Sequence, residues 1–116
     1  MPIKDNTELI SLKDSIIDGM LDYMDDDVEY TKKDVELCER ILDDHINALS
    51  KAHDRNSAIQ CVKDTVLKLN ELNEKAGEEL IETDQREEIC EYIIKAGALL
   101  GFNDENEDTT EEWREW

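Results

Sequence analysis

The sequence has few of the residues that build turns in β-structure. Proline occurs once, at Pro2, and only four of the 116 residues are glycine. Because β-hairpins and tight turns depend on these two residues, a sandwich or barrel is disfavoured and an all-α fold is expected. No apolar run approaches the ~20 residues of a membrane-spanning helix, and the N-terminus lacks the pattern of a signal peptide. We therefore expect a cytoplasmic protein.

Basic residues are also scarce. Thirteen lysines and arginines stand against 32 acidic residues, which gives a formal net charge of -19. Nucleic acids and anionic membranes are bound through lysine and arginine, so neither is expected as a partner. The negative field of such a chain instead attracts basic proteins and speeds their encounter with it.

Apolar residues recur at three- and four-residue steps in four segments, which predicts a compact bundle of four principal helices. The segments run from about Thr7 to Met24, from Lys32 to His53, from Ser57 to Ala76 and from Thr83 or Asp84 to Gly101. The expected N-terminal caps are Asn6 or Thr7, Thr31 with Asp34, Ser57 with Gln60, and Asp84 with Glu87. Gly77 is expected to end the third helix.

The composition changes after Phe102. Residues 103–116 contain seven acidic residues and one basic residue, but almost no aliphatic ones. This predicts a single helical domain over residues 1–102 and an acidic C-terminal tail over 103–116. A short terminal helical turn, capped near Thr109 and Thr110, would place Trp113 and Trp116 on one side. The sequence leaves open whether these tryptophans pack on the bundle or bind a partner.

The sequence contains no catalytic or cofactor motif. The sequence lacks the motifs HExxH, CxxC, ExxH and GxGxxG, and it lacks a P-loop. His45 and His53 are also too far apart for one metal ion to bridge them on a straight helix. We therefore predict a protein that is not an enzyme and has no metal or cofactor. Cys38, Cys61 and Cys90 lie in apolar helical stripes, which predicts buried, reduced and dispensable thiols.

The acidic residues of the first helix form a strip. Like charges four residues apart each destabilise a helix by ~0.2–0.5 kcal/mol, and acids at its C-terminal end are unfavourable as well. A face that is only solvated usually mixes charges of both signs, so this strip indicates a binding role. The predicted partner-binding residues are Asp14, Asp18, Asp22, Asp25, Asp26, Asp27 and Glu29, together with Trp113 and Trp116 of the tail.

In size, acidity and helical character the sequence resembles the small helical immunity proteins that neutralise basic nuclease toxins in bacteria. The resemblance covers general character, and no binding residue is carried over from it. It implies a non-enzymatic inhibitor that docks a basic partner such as a toxin. Two alternatives stay open: a small metal- or ligand-binding helical enzyme with its site near His45, Cys38 and Glu39, and a structural homodimer or adaptor.

Overall fold

In the computed structural model, residues 3–24 and 28–116 are described. They form a short 3-10 turn at Ile3–Asp5 and four helices, α1 (Thr7–Tyr23), α2 (Lys32–Ser50), α3 (Arg55–Lys75) and α4 (Thr83–Leu99). No strand occurs within these residues. The predicted all-α bundle of four principal helices is confirmed.

The helices pack in the spatial order α4, α1, α2, α3, so α3 and α4 are the outer helices of this order. Helix α1 packs chiefly against α4 and also against α2, while α2 packs against α3. Each helix contributes fully buried aliphatic side chains to one core, for example Ile16, Leu42, Leu69 and Ile93. Because α3 and α4 make little direct contact, one side of the bundle has to be closed by something other than a helix pair.

Two of the predicted N-terminal caps are confirmed. The Asn6 side chain accepts hydrogen bonds from the backbone N–H groups of Glu8 (3.0 Å) and Leu9 (3.1 Å), which satisfies two of the free donors at the start of α1. At the start of α2, the Asp34 carboxylate accepts from the backbone N–H of Thr31 at 3.0 Å, as the capping-box prediction requires.

The predicted boundary between α2 and α3 is wrong at both ends. Helix α3 begins at Arg55, because Asp54 is its N-cap and accepts from the Ser57 N–H at 2.8 Å. Ser57 is therefore the third residue of the helix, and its hydroxyl accepts from the Asp54 N–H at 3.2 Å. Helix α2 ends at Ser50 and does not reach His53, because the residues before Asp54 are needed for the turn. The fourth predicted cap, Asp84 with Glu87, is also absent, since Glu82 is the N-cap of α4.

Gly77 ends α3 as predicted, and the structure shows two reasons for glycine there. Its φ angle is +77°, a region that side chains with a Cβ rarely adopt. A Cβ at this position would also overlap the Glu29 carboxylate. The loop between α1 and α2 therefore packs onto the end of α3 through a residue that has no side chain.

We expect the Gly77→Ala variant to lower the free energy of unfolding by more than the ~1–2 kcal/mol that a left-handed residue costs by itself. Gly101→Ala is the matched control, because Gly101 has a φ of +80° but no atom within 4 Å of the added Cβ. Chemical denaturation of both variants measures the difference. Equal losses in the two variants would show that Glu29 moves away freely.

The tail 103–116 closes the open side of the bundle by packing between α3 and α4. The Asn70 side chain of α3 donates from Nδ2 to the Trp113 carbonyl at 2.7 Å and accepts from the Glu115 N–H at 3.0 Å. On the other side, the Arg114 guanidinium donates to the Cys90 sulfur of α4 at 2.8 Å. Both indole rings are half-buried against the core. At the end of the tail the chain forms a turn and no longer helix. In this turn the Trp113 N–H donates to the Thr110 carbonyl at 3.3 Å.

All three cysteines are free thiols, but their burial differs from the prediction. Cys38 is fully buried, and burial raises its pKa to about 12. Cys61 and Cys90 are half-buried, so the expectation of three buried thiols is wrong for these two. The apolar stripes predicted the correct face of each helix. Cys61 and Cys90, however, lie at the margin of the buried face of α3 and α4, and Arg114 covers Cys90.

Candidate functional site

Helices α1 and α4 run antiparallel, and three contacts define their register. Near the start of α1, Glu8 forms an ion pair with Lys95 at the end of α4. One turn before the end of α1, Gly19 lies against the side chain of Gln85. At its end, the Tyr23 hydroxyl donates to the Asp84 carboxylate at 3.3 Å. The acidic strip of α1 therefore faces the first two turns of α4.

A groove of about 700 Å³ lies between these two helices. Asp14, Asp18 and Asp22 line it from α1, and Asp84 and Glu88 line it from α4. No lysine or arginine is found among the described residues that line it. The full set of lining residues is Ser11, Asp14, Ser15, Asp18, Gly19, Asp22, Tyr23, Asp84, Gln85 and Glu88. Five carboxylates thus share one concave surface without a neutralising partner in it.

Two lysines near the groove are held by carboxylates that lie outside it. Lys13 directly precedes the strip in sequence, but its Nζ lies 2.7 Å from the Asp43 carboxylate of α2. The pKa of Lys13 is raised, first because of that hydrogen bond. Lys95 is held by Glu8 beyond the far end of the groove. Neither ammonium group offsets the charge inside the groove.

The floor of the groove carries a neutral polar group, the carboxamide of Gln85. This residue is only 1% exposed, and its Oε1 has no hydrogen-bond partner within the described residues. The Nε2 atom would stand 2.9 Å from a Cβ at Gly19, so the end of the Gln85 side chain would have to shift to admit a side chain there. Gly19, which weakens α1 by ~1 kcal/mol relative to alanine, therefore makes room for this amide between the helices.

The structure separates the predicted acidic residues into groups. Asp14, Asp18 and Asp22 lie together in the groove. Glu29 is exposed and lies apart from it, where its backbone N–H donates to the Glu79 carboxylate at 2.7 Å. The predicted residues Asp25, Asp26 and Asp27 lie outside the described part of the chain.

Sequence reasoning missed all three residues that α4 contributes to the groove, which are Asp84, Gln85 and Glu88. The four-residue spacing of Asp84 and Glu88 placed two acids on one face of α4, as in α1. That spacing is common on solvated helices, however, and the periodicity of single helices does not reveal that α1 and α4 are neighbours.

Trp113 and Trp116, the other predicted binding residues, do not line the groove. Trp113 borders a shallow surface pocket with Arg55, Lys63 and Glu107. The Arg114 guanidinium lies over the ring of Trp116, with its carbon 5.6 Å from the ring centre. The half-buried indoles thus serve the packing of the tail, and they leave part of each ring exposed at a different surface.

The alternative site near His45 is closed in this fold. His45 is fully buried between α2 and α3, and its Nδ1 shares a hydrogen bond of 2.8 Å with the Thr65 hydroxyl. Burial lowers the pKa of His45 to about 4, against a smaller opposing effect of the Cys61 backbone. In residues 3–24 and 28–116, no group of three or more His, Cys, Asp or Glu side chains could hold a metal ion.

The comparisons with known proteins add no relative. No family model matches the chain, and neither a curated protein nor a solved structure matches it. None of the helices in the described residues is both long enough and apolar enough to cross a membrane. The groove between α1 and α4 is thus interpreted from its own chemistry.

Proposed function

We propose that this chain is a non-enzymatic, acidic protein-binding module that docks a basic partner through the groove between α1 and α4. The observation that carries the proposal is the meeting of five carboxylates in one concave surface without a lysine or arginine among its described lining residues. A protein surface rich in lysine and arginine supplies the charge that this groove lacks. The general likeness to immunity proteins makes a nuclease toxin the first partner to consider.

The mechanism that we propose is occlusion. A nuclease holds the phosphates of its substrate with lysine and arginine side chains. Carboxylates that occupy those positions compete directly with the nucleic acid, and the rest of the bundle blocks access sterically. The chain's large negative charge steers the basic partner toward it, which raises the association rate more than it lowers the dissociation rate.

The energetics of α1 support a role outside the fold. Asp14, Asp18 and Asp22 repel one another along one helix, and α4 adds the carboxylates of Asp84 and Glu88 across the groove. All five groups therefore destabilise the packing of α1 on α4 to a small extent. A cationic surface removes this repulsion when it binds, so the repulsion in the free protein favours the complex.

Replacing Asp14, Asp18 and Asp22 together with asparagine tests the proposal. We expect the variant to be at least as stable as wild type, and to associate with a partner purified from the native source at least ~10-fold more slowly at low salt. The variant should also show a weaker dependence of the association rate on salt, because exposed charges are screened over ~8 Å at physiological ionic strength. Stopped-flow mixing measures these rates.

The control removes three charges elsewhere. Glu36, Asp44 and Glu71 are exposed on α2 and α3, away from the groove. Their joint replacement with glutamine or asparagine changes the net charge equally, so it reports the long-range field alone. If both triple variants slow association by the same factor, the groove is not the docking surface. If the recovered partner is a nuclease, one equivalent of wild type should abolish its activity.

A further inference from the structure

We infer that a second pocket, where the N-terminal 3-10 turn meets α1, α2 and α4, binds a small monocarboxylate with an apolar body through the hydroxyl of Tyr92 and the ammonium group of Lys4. This inference is independent of the proposed function, because the pocket shares no described residue with the acidic groove. Its volume of about 270 Å³ is close to the lower end of the range for small-molecule sites.

The walls of this pocket are largely apolar. Ile3, Leu9 and Ile46 line it from the 3-10 turn, α1 and α2, and all three are buried. Ile10 lines it as well and remains 42% exposed, so a ligand that packs against Ile10 removes apolar surface from water. The body of the ligand therefore meets a hydrophobic surface that the fold has already formed.

Tyr92 of α4 supplies a polar group that the fold does not use. Its side chain lines the pocket and is only 3% exposed. The hydroxyl has no hydrogen-bond partner among the described residues and is not one of their fully enclosed polar atoms, so it keeps its contact with solvent. Burial raises the pKa of this hydroxyl, and the Asp43 carboxylate, which lines the same pocket, raises it further. The hydroxyl therefore lies on the pocket side of the ring as a protonated donor.

The charge of the pocket differs from that of the whole chain. Acidic residues outnumber lysine and arginine by 32 to 13 in the sequence. In this pocket Lys4 and Lys13 stand beside a single acid, Asp43. The Asp43 carboxylate holds Lys13 at 2.7 Å, whereas Lys4 is exposed and forms no ion pair within the described residues. An unpaired ammonium group therefore attracts an anion to this pocket.

A carboxylate suits the hydroxyl and the ammonium group together. An ionised carboxylate only accepts hydrogen bonds, and both Tyr92 and Lys4 can donate them. Such bonds are stronger when a partner is charged. A cationic ligand would be repelled by Lys4, and a second negative charge on the ligand would have to approach the apolar walls or Asp43. The pocket therefore favours one carboxylate on an apolar body.

The test uses the whole chain and three probes with the same carbon chain at low salt: hexanoate, hexanol and hexylamine. Two-dimensional 1H–15N spectra locate the binding site through the backbone signals of Ile10, Ile46 and Tyr92. We expect hexanoate to bind in this pocket at least ~5-fold more tightly than hexylamine, because Lys4 attracts the first probe and repels the second. Hexanol, which is neutral, should bind with an intermediate affinity.

The Tyr92→Phe variant removes the hydroxyl and keeps the ring. We expect its affinity for hexanoate to fall ~10-fold, as the loss of a hydrogen bond to a charged group predicts. Its stability should not fall, because the hydroxyl has no partner in the fold. Tyr30→Phe is the matched control, since the Tyr30 hydroxyl donates to the Met20 carbonyl in the core. That variant should lose stability and keep the affinity for hexanoate.

The Lys4→Gln variant isolates the charge of the pocket. We expect it to bind hexanoate and hexanol equally, because its side chain no longer attracts an anion. Lys68→Gln is the control: Lys68 is exposed on α3 and lies outside the pocket, so its replacement changes the net charge equally. That variant should keep the preference for hexanoate.

Three results would overturn the inference. They are equal binding of hexanoate and hexylamine, binding of neither probe in this pocket, and a Tyr92→Phe variant that binds hexanoate as tightly as wild type. A preference for hexanoate over hexanol that persists in Lys4→Gln would overturn the role of Lys4. None of these results decides the proposed function, because the variants leave every carboxylate of the acidic groove in place.

Discussion

Lowering the pH from 7 to 4 is expected to remove about 3 kcal/mol from the free energy of unfolding through His45 alone. The ordinary pKa of histidine is 6.5, whereas burial lowers that of His45 to about 4 in the folded protein. Each pKa unit corresponds to ~1.4 kcal/mol. Between these two values the unfolded chain binds the proton and the folded chain does not, so stability falls as the pH is lowered.

The His45→Gln variant measures this contribution. Glutamine keeps an acceptor for the Thr65 hydroxyl but does not titrate. The difference in stability between wild type and variant should therefore change by about 3 kcal/mol between pH 7 and pH 4. Because the many carboxylates also take up protons in this range, only the difference between the two proteins is informative. If the stability of His45→Gln falls with pH in the same way as that of wild type, His45 is protonated in the folded protein and its burial does not control stability in acid.

Deleting residues 107–116 is expected to lower the free energy of unfolding by about 3 kcal/mol or more. A fully buried aromatic side chain contributes ~3–5 kcal/mol to the free energy of unfolding. The deletion removes two tryptophans that are half-buried against the core. It also leaves the buried side chain of Asn70 without its two partners in the tail. Urea unfolding measures the loss, and the side of the bundle between α3 and α4 should then become accessible to solvent.

Asn70 offers a sharper version of the same test. In the full chain, Asn70→Ala should cost about 2 kcal/mol, because it removes both hydrogen bonds to the tail. In the shortened chain the same substitution should cost little, since its partners are gone, and the two changes are therefore not additive. Asn47→Ala, an exposed asparagine of α2, should be neutral in both. Additive losses would show that the tail does not dock through Asn70.

The fold class and the faces of the helices could be predicted because they depend on local periodicity. The apolar stripe that contains Ile16 and Met20 packs into the core, as the spacing required. The start of α3 could not be predicted in the same way, because Asp54 and Ser57 are both good capping residues. Which of the two residues caps the helix depends on the length of the connection between α2 and α3.

The site could be predicted only in part. The spacing along α1 indicated the strip of Asp14, Asp18 and Asp22, but the groove also needs Asp84 and Glu88 from a helix some sixty residues later. Their meeting depends on which helices become neighbours, which the packing of the whole chain decides. Likewise, no local pattern indicated that Gly19 and Gln85 contact each other.

The antiparallel pairing of α1 with α4 also affects how the chain folds. Helices α2 and α3 adjoin in sequence and can pair early, whereas α1 and α4 must close a loop that contains both of them. The pairing of α1 with α4 brings five like charges together. Their repulsion slows this pairing or makes it easier to reverse. Because salt screens these charges, we expect it to speed the pairing of α1 with α4.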